Sequence, residues 1–172
     1  MRPVGTVILA IILALPVCVS AQSHDIHEHP PAVRKDSAFG AMQARGKRAM
    51  GVDQYTSVHR FEDLEDGGRI ELQRDRDDAQ GVAAIRAHMR AIARAFAAGD
   101  FSTPATVHLE AVPGSATMRA RRRTIRYETV DLPRGAALRI RTSDPEAVAA
   151  VHRFLAYQRR EHHAAGASLM AP

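Results

Sequence analysis

Residues 57–73 read SVHRFEDLEDGGRIELQ, and this stretch decides the fold because it carries an antiparallel hairpin. Polar and apolar side chains alternate in its first half, which predicts a strand with His59 and Phe61 on one face. The turn signal EDGG at residues 65–68 follows, since glycine adopts positive φ at no steric cost. Alternation then resumes over residues 69–73, which predicts the return strand.

A helix is predicted directly after the hairpin. Asp77 or Asp78 can cap its first turn by accepting from free backbone N–H groups, and Gly99 is typical of a helix end. Apolar residues recur between these two points at spacings of three and four, which indicates one buried helix face. They are Val82, Ile85, Met89, Ile92 and Phe96.

The same order of elements is predicted again in the second half. A strand over residues 118–130, a Pro-Arg-Gly turn and a strand from Ala136 precede a helix that begins at Asp144-Pro145. The economical architecture is an α+β fold, ββαββα, with a four-stranded antiparallel sheet and two helices on one face. The strings VAAI (82–85) and VAAV (148–151) suggest an internal duplication.

The first 21 residues have the pattern of a secretory signal peptide. Arg2 precedes an apolar run over residues 7–17, and small residues lead up to Ala21. The protein is therefore expected to be periplasmic or secreted, with membrane contact only through this segment before its cleavage. The only cysteine, Cys18, lies within the segment, and its lipidation is the alternative to a cut at Ala21.

Four regions are expected along the chain. The signal peptide occupies residues 1–21, and a disordered histidine-containing tail follows over residues 22–48 because it is polar and lacks periodicity. A single α+β domain is predicted over residues 49–164, with a flexible C-terminus at residues 165–172. The domain core must be aliphatic, since tryptophan is absent and aromatic residues make up 5% of the chain.

The chain carries a net charge of +5. Alternation along the predicted strand 118–130 places Arg119, Arg121 and Arg123 on one face, which would bind phosphate or would simply be a solvated surface. Export and the lack of interleaved aromatic residues argue against a nucleic-acid partner. A basic surface on an exported protein is more consistent with an envelope protein partner.

The tail offers one candidate metal site. Cleavage after Ala21 would place His24 third from a free amino terminus, where the amine, two amides and the imidazole can bind Cu(II) or Ni(II) in a plane. The other interpretation is a polar tail that happens to contain histidine.

The predicted domain offers a second set of candidate ligands. A cluster would form if the helix ends converge on the sheet edge, with Met89 or Met118 as a soft ligand, and copper accepts that mixture of donors. For any single histidine, a place at the edge of the core is the alternative. The candidates are His59, His88, His108, His152 and His162.

Catalytic motifs are missing from the sequence. It has no nucleophile elbow, phosphate-binding glycine loop or dinucleotide fingerprint, and the acidic residues near the first hairpin suit turns and caps better than a calcium loop. The leading hypothesis is a non-catalytic exported domain that binds a transition metal, copper above all, through histidine. The alternatives are an envelope protein-interaction module without a ligand and, third, a small hydrolase with a histidine base.

Several strings resemble a group of small exported bacterial proteins of unknown function. They are MGVDQ (50–54), VHRF (58–61), DGG (66–68), GDF (99–101) and HRFLAYQ (152–158). The resemblance covers residues 50–163 and implies no activity. Members of this group commonly carry two histidines before the phenylalanine, where this chain has His59 and Arg60.

Overall fold

The computed structural model describes residues 31–51 and 53–166 as five α-helices and four β-strands. In chain order they are α1 (Pro31–Met50), β1 (Ser57–Leu64), β2 (Gly67–Arg74), α2 (Ala79–Ala97), α3 (Ser102–His108), α4 (Ser115–Ala120), β3 (Ile125–Leu132), β4 (Gly135–Thr142) and α5 (Pro145–Glu161).

The strands form one antiparallel sheet in the order β1-β2-β4-β3, so β1 and β3 are its edges. This confirms the predicted α+β class and the four-stranded antiparallel sheet. Each hairpin joins two eight-residue strands through two residues, as in the pairing of Leu64 with Gly67 and of Leu132 with Gly135. The register is therefore fixed by short turns at both hairpins.

The two long helices that follow the hairpins pack crosswise. Helix α2 packs mainly against β3 and β4, whereas α5 packs mainly against β1 and β2. Each ββα unit thus covers the hairpin of the other, which ties both halves into one core. The fully buried side chains of this core include Leu72, Ile85, Leu138, Val151 and Leu155, and burying each stabilises the fold by about 1.5–3 kcal/mol.

The helix signals of the sequence are confirmed. The Asp78 side chain accepts from the Gly81 backbone N–H at 2.9 Å at the start of α2, and Gly99 just beyond its end has φ +81°. The Asp144 carboxylate accepts from the Glu146 N–H at the start of α5. The two aspartates satisfy free backbone N–H groups in the first turns of their helices. Gly99 allows the chain to reverse direction after α2.

The expected disordered tail over residues 22–48 is wrong from Pro31 onward, because α1 begins there. Met42 and Met50 are buried, and the Arg45 Nε donates to the Val107 carbonyl at 2.7 Å, which fastens α1 to α3. Proline suits a first helical position, since its missing N–H has no helical partner there. The predicted signal peptide and residues 22–30 lie outside the described residues.

The predicted strand over residues 118–130 is also wrong in its first half. The segment Ser115–Ala120 is helix α4, a short 3-10 turn spans Arg122–Thr124, and the strand begins only at Ile125. Ala, Met and Arg favour helix, and the fully buried Met118 gives α4 an anchor against α5. The connection between α2 and α4 also contains a short helix, α3.

The start of the expected flexible C-terminus is held by β1. The Phe61 N–H donates to the Ala165 carbonyl at 2.9 Å, and Arg60 and Ala165 form a parallel bridge at this edge. Residues 167–172 lie outside the described part of the chain. Within that part, none of the helices combines the length and apolar character needed to cross a membrane.

Candidate functional site

A cavity of about 90 Å³ lies between β1, β2 and the helices α1, α2, α3 and α5. Most of its lining is apolar, and Phe61, Ile92 and Phe154 are typical of it. Four of the histidines that the sequence singled out also line it, and we call this space the histidine pocket. They are His59, His88, His108 and His162.

The ring of His162 contacts the rings of two others, His59 and His108. The ring centres of His59 and His162 are 5.4 Å apart, and those of His162 and His108 are 5.1 Å apart. His59 projects from β1, His108 ends α3, and His162 follows the last turn of α5. Elements that are far apart in sequence therefore bring three imidazoles to one place.

The ring spacing matches that of imidazoles sharing a metal, but the donor atoms do not yet converge. Two imidazoles bound at about 2.0–2.1 Å to a tetrahedral or trigonal ion have ring centres about 5–5.5 Å apart. Within the described residues, however, no group of three or more His, Cys, Asp or Glu side chains is placed so that it could hold a metal ion. Binding would require the rings to rotate about their side-chain torsions.

Hydrogen bonds orient two of the pocket histidines. The His108 Nε2 lies 3.2 Å from the Gln158 Oε1, and because an amide oxygen can only accept, Nε2 carries the proton and Nδ1 keeps its lone pair. The ring of His88 hydrogen-bonds the backbone carbonyl of Ala49 in α1. Metal-binding histidines commonly have such partners on the nitrogen that faces away from the ion.

Burial keeps the pocket imidazoles neutral. It lowers the pKa of His59 to about 4, with a smaller contribution from a charge on His88. The pKa of His162 is lowered to about 3, first by burial and then by the repulsion that protonated His59 and His108 would exert on a charged His162. The pKa values of His88 and His108 fall for the same first reason. Neutral imidazole is the form that coordinates metals.

Two methionines complete the polarizable part of the pocket. Met89 from α2 and Met50 from the end of α1 both line it, whereas the other suggested soft ligand, Met118, is fully buried away from it. Among the residues that line the pocket there is no aspartate, glutamate or cysteine. Every donor it offers is therefore uncharged.

Sequence reasoning missed the contribution of α1. Gly46, Ala49 and Met50 line the pocket from this helix, which was expected to be a tail. The signal that could have revealed the helix is the spacing of Phe39, Met42, Gly46 and Met50, which repeats at intervals of three and four. The ring of Phe39 also stacks on His163 at 4.5 Å, next to the pocket residue His162.

The remaining predicted site residues lie elsewhere. The His152 Nε2 hydrogen-bonds the Leu64 carbonyl at 2.9 Å, and His152 is not among the residues that line the histidine pocket. His24 lies outside the described residues.

The predicted basic face does not exist in the expected form. Arg119 lies in α4 and its Nε donates to the Gly99 carbonyl at 2.8 Å, while Arg121 pairs with Glu146. Arg123 lies in the 3-10 turn. These arginines are not on a strand, so they do not alternate across a sheet, and two of them serve local structure.

The chain matches no protein-family model, no curated protein and no solved structure.

Proposed function

We propose that this protein binds a transition metal ion, copper above all, in the histidine pocket and does not catalyse a reaction. The observation that carries the proposal is the meeting of His59, His108 and His162 with ring centres 5.1 and 5.4 Å apart beside a cavity. Imidazole suits copper, and copper also accepts the thioether sulfur of methionine beside it.

The surroundings of the rings support binding rather than catalysis. A general base needs a pKa near the working pH, whereas burial holds the pKa of His59 at about 4. Such an imidazole is a poor proton acceptor at neutral pH but an available ligand. The hydrogen bonds of His108 to Gln158 and of His88 to the Ala49 carbonyl would fix which ring nitrogen faces the ion.

The proposal places the protein outside the cytoplasm, periplasmic or secreted. Its support is the signal-like sequence of residues 1–21, together with a lack of cysteine after that segment. An exported domain without thiolates must use imidazole and thioether donors to bind a soft metal.

We also propose a finer description of the fold. Helices α2 and α5 cover one face of the sheet, and the two ββα units descend from a duplication. Both units have eight-residue strands, two-residue turns and a helix capped by aspartate, Asp78 in one and Asp144 in the other. These shared features support the proposal.

An envelope-interaction module without a ligand has less support. It would favour a continuous apolar surface, and the exposed apolar residues on the strands do not suggest one. Val58 and Val130 are each more than half exposed, at 53% and 52%, but they lie on β1 and β3, the opposite edges of the sheet. The metal hypothesis is therefore preferred.

The test is metal uptake by the full chain with its tail histidines silenced. In a background with His24, His27 and His29 replaced by alanine and Cys18 by serine, equilibrium dialysis against copper or zinc should give about one bound ion per chain. His59→Phe and His162→Phe should each abolish uptake, since removing a ligand weakens binding by at least about a hundredfold. The matched control His152→Phe should still bind.

Circular dichroism and thermal unfolding would first establish that each variant is folded. Equal uptake by the parent and by both pocket variants would contradict the proposed site, and no uptake of any ion by the folded parent would contradict the function.

A further inference from the structure

The donor set of the histidine pocket distinguishes between ions of different charge. An exposed or carboxylate-rich site can compensate a divalent cation with charge, but the side-chain donors lining this pocket are all uncharged: imidazoles, thioethers, the Thr103 hydroxyl and the Gln158 amide. The hydration energy lost on entering a low-dielectric space grows with the square of the charge, so a divalent ion loses about four times as much as a monovalent one. The pocket therefore penalises divalent ions.

The methionines point in the same direction. Met89 is 3% exposed and Met50 is 9% exposed, and both line the pocket with the histidines. Thioether sulfur is a soft, uncharged ligand that selects Cu(I) over harder divalent ions. Its side chain is also flexible, so it can adapt to a small ion without moving the backbone.

The low coordination that the rings allow suits the same ion. Among the pocket histidines of the described residues, ring contacts join His162 to His59 and to His108, and these three come from separate parts of the chain. Two or three imidazoles with one thioether suffice for Cu(I), whereas Zn(II) takes four ligands, with a water molecule as the fourth where the protein supplies three.

We propose that the histidine pocket selects a soft monovalent cation, Cu(I) with Ag(I) as its stable analogue, and that Met89 is a ligand together with the imidazoles. This inference rests on the metal-binding function proposed above and specifies its ligand. No electron transfer is involved, since Cu(I) is bound and released in one oxidation state.

The experiment compares Ag(I) and Cu(I) with Zn(II) and Cu(II) on the full chain with the tail histidines replaced by alanine and Cys18 replaced by serine, so that no thiolate competes for soft ions. Competition against chromophoric chelators under anaerobic conditions gives each affinity. Ag(I) and Cu(I) should bind at least about a hundredfold more tightly than Zn(II). Met89→Leu should weaken Ag(I) binding by about tenfold or more while changing the affinity for Zn(II) less than about threefold. Met118→Leu, a matched change of a buried methionine outside the pocket, should leave both affinities unchanged.

The outcomes separate this inference from the function on which it rests. If Zn(II) or Cu(II) binds as tightly as Ag(I), and His162→Phe abolishes that binding, the metal site stands and monovalent selectivity is wrong. If Ag(I) binds selectively but Met89→Leu and Met118→Leu behave alike, the thioether assignment is wrong. If no ion binds to the folded parent protein, the proposed function itself fails.

Discussion

The two edge strands of the sheet occupy equivalent places in the two ββα units, yet their inner sides differ. The third residue of β1 is His59, which faces the histidine pocket, whereas the third residue of β3 is Tyr127, which packs edge-on against Phe96 of α2 at 5.8 Å. The same supersecondary unit thus leaves a cavity at one edge and a filled core at the other.

The difference arises from elements outside the two units. Helices α1 and α3 and the residues after α5 contribute Met50, His108 and His162 to the pocket beside β1. The corresponding region beside β3 is filled by α2 itself. A cavity lined with imidazoles therefore depends on elements added to the two ββα units, and such additions are where a binding function is expected to reside.

The largest expected effect compares two isoleucines that each pair with an aromatic residue of an edge strand. Ile140 lies opposite Tyr127 and is fully buried, while Ile70 lies opposite Phe61 and lines the pocket. Ile140→Ala should lower the free energy of unfolding by about 2–5 kcal/mol. Ile70→Ala should cost about 1–2 kcal/mol less, because its side chain already lacks contacts on the cavity side. Urea denaturation of both variants measures the difference, and equal losses would show that the pocket edge is as tightly packed as the other.

The next effect concerns metal binding and the third residue of each edge strand, His59 in β1 and Tyr127 in β3. His59→Phe should reduce the affinity for copper by at least about a hundredfold, whereas Tyr127→Phe should leave it unchanged, because Tyr127 does not line the pocket. Isothermal titration of both variants, with tail histidines replaced by alanine, measures this. A similar loss in both would mean that the effect is general destabilisation rather than loss of a ligand.

The sequence predicted most elements of the sheet and its covering helices, but it did not predict α1 and α4. The hairpins, the sheet and the helices capped by Asp78 and Asp144 were predicted because turns, alternation and caps are local signals. Helix α1 was missed because its apolar residues are sparse and Gly40 and Gly46 resemble loop signals. Helix α4 was missed because an arginine-rich segment was interpreted by alternation alone.

The site shows a different limit. His59, His88, His108 and His162 could be named as candidates from residue type, and the structure brings them to one pocket. His152 could not be separated from them, since its place follows from how α5 faces the sheet edge and not from its spacing. Tertiary packing determines which histidines contact one another, and local periodicity does not reveal it.

A moderate effect is expected from pH in the protein without metal. Burial lowers the pKa of His59 from 6.5 to about 4, so the unfolded chain takes up protons before the folded one as the pH falls. The contribution of this neutral imidazole to the free energy of unfolding should therefore be fully present above pH 6.5. It should decrease toward pH 4, by at most about 1.4 kcal/mol per pH unit for each such group. His59→Phe should make the decrease shallower. An unchanged slope in urea denaturation across this range would show that His59 is not held neutral by the fold.

The smallest effect lies at the filled edge. The Tyr127 hydroxyl is buried without a hydrogen-bond partner in the described part of the chain. An unsatisfied buried polar group is costly, so Tyr127→Phe should raise the free energy of unfolding by about 1 kcal/mol. Thermal unfolding by calorimetry measures it. A decrease would indicate that the hydroxyl has a partner, such as an ordered water molecule.

The most direct measurement of the central claim is X-ray absorption at the copper edge, on the loaded chain with its tail histidines replaced by alanine. The account predicts two or three imidazole ligands at about 2.0 Å. It also predicts that this imidazole signal disappears when His59→Phe and His162→Phe are combined in a variant that remains folded. The same imidazole signal in the double variant, or none in the parent, would contradict the account.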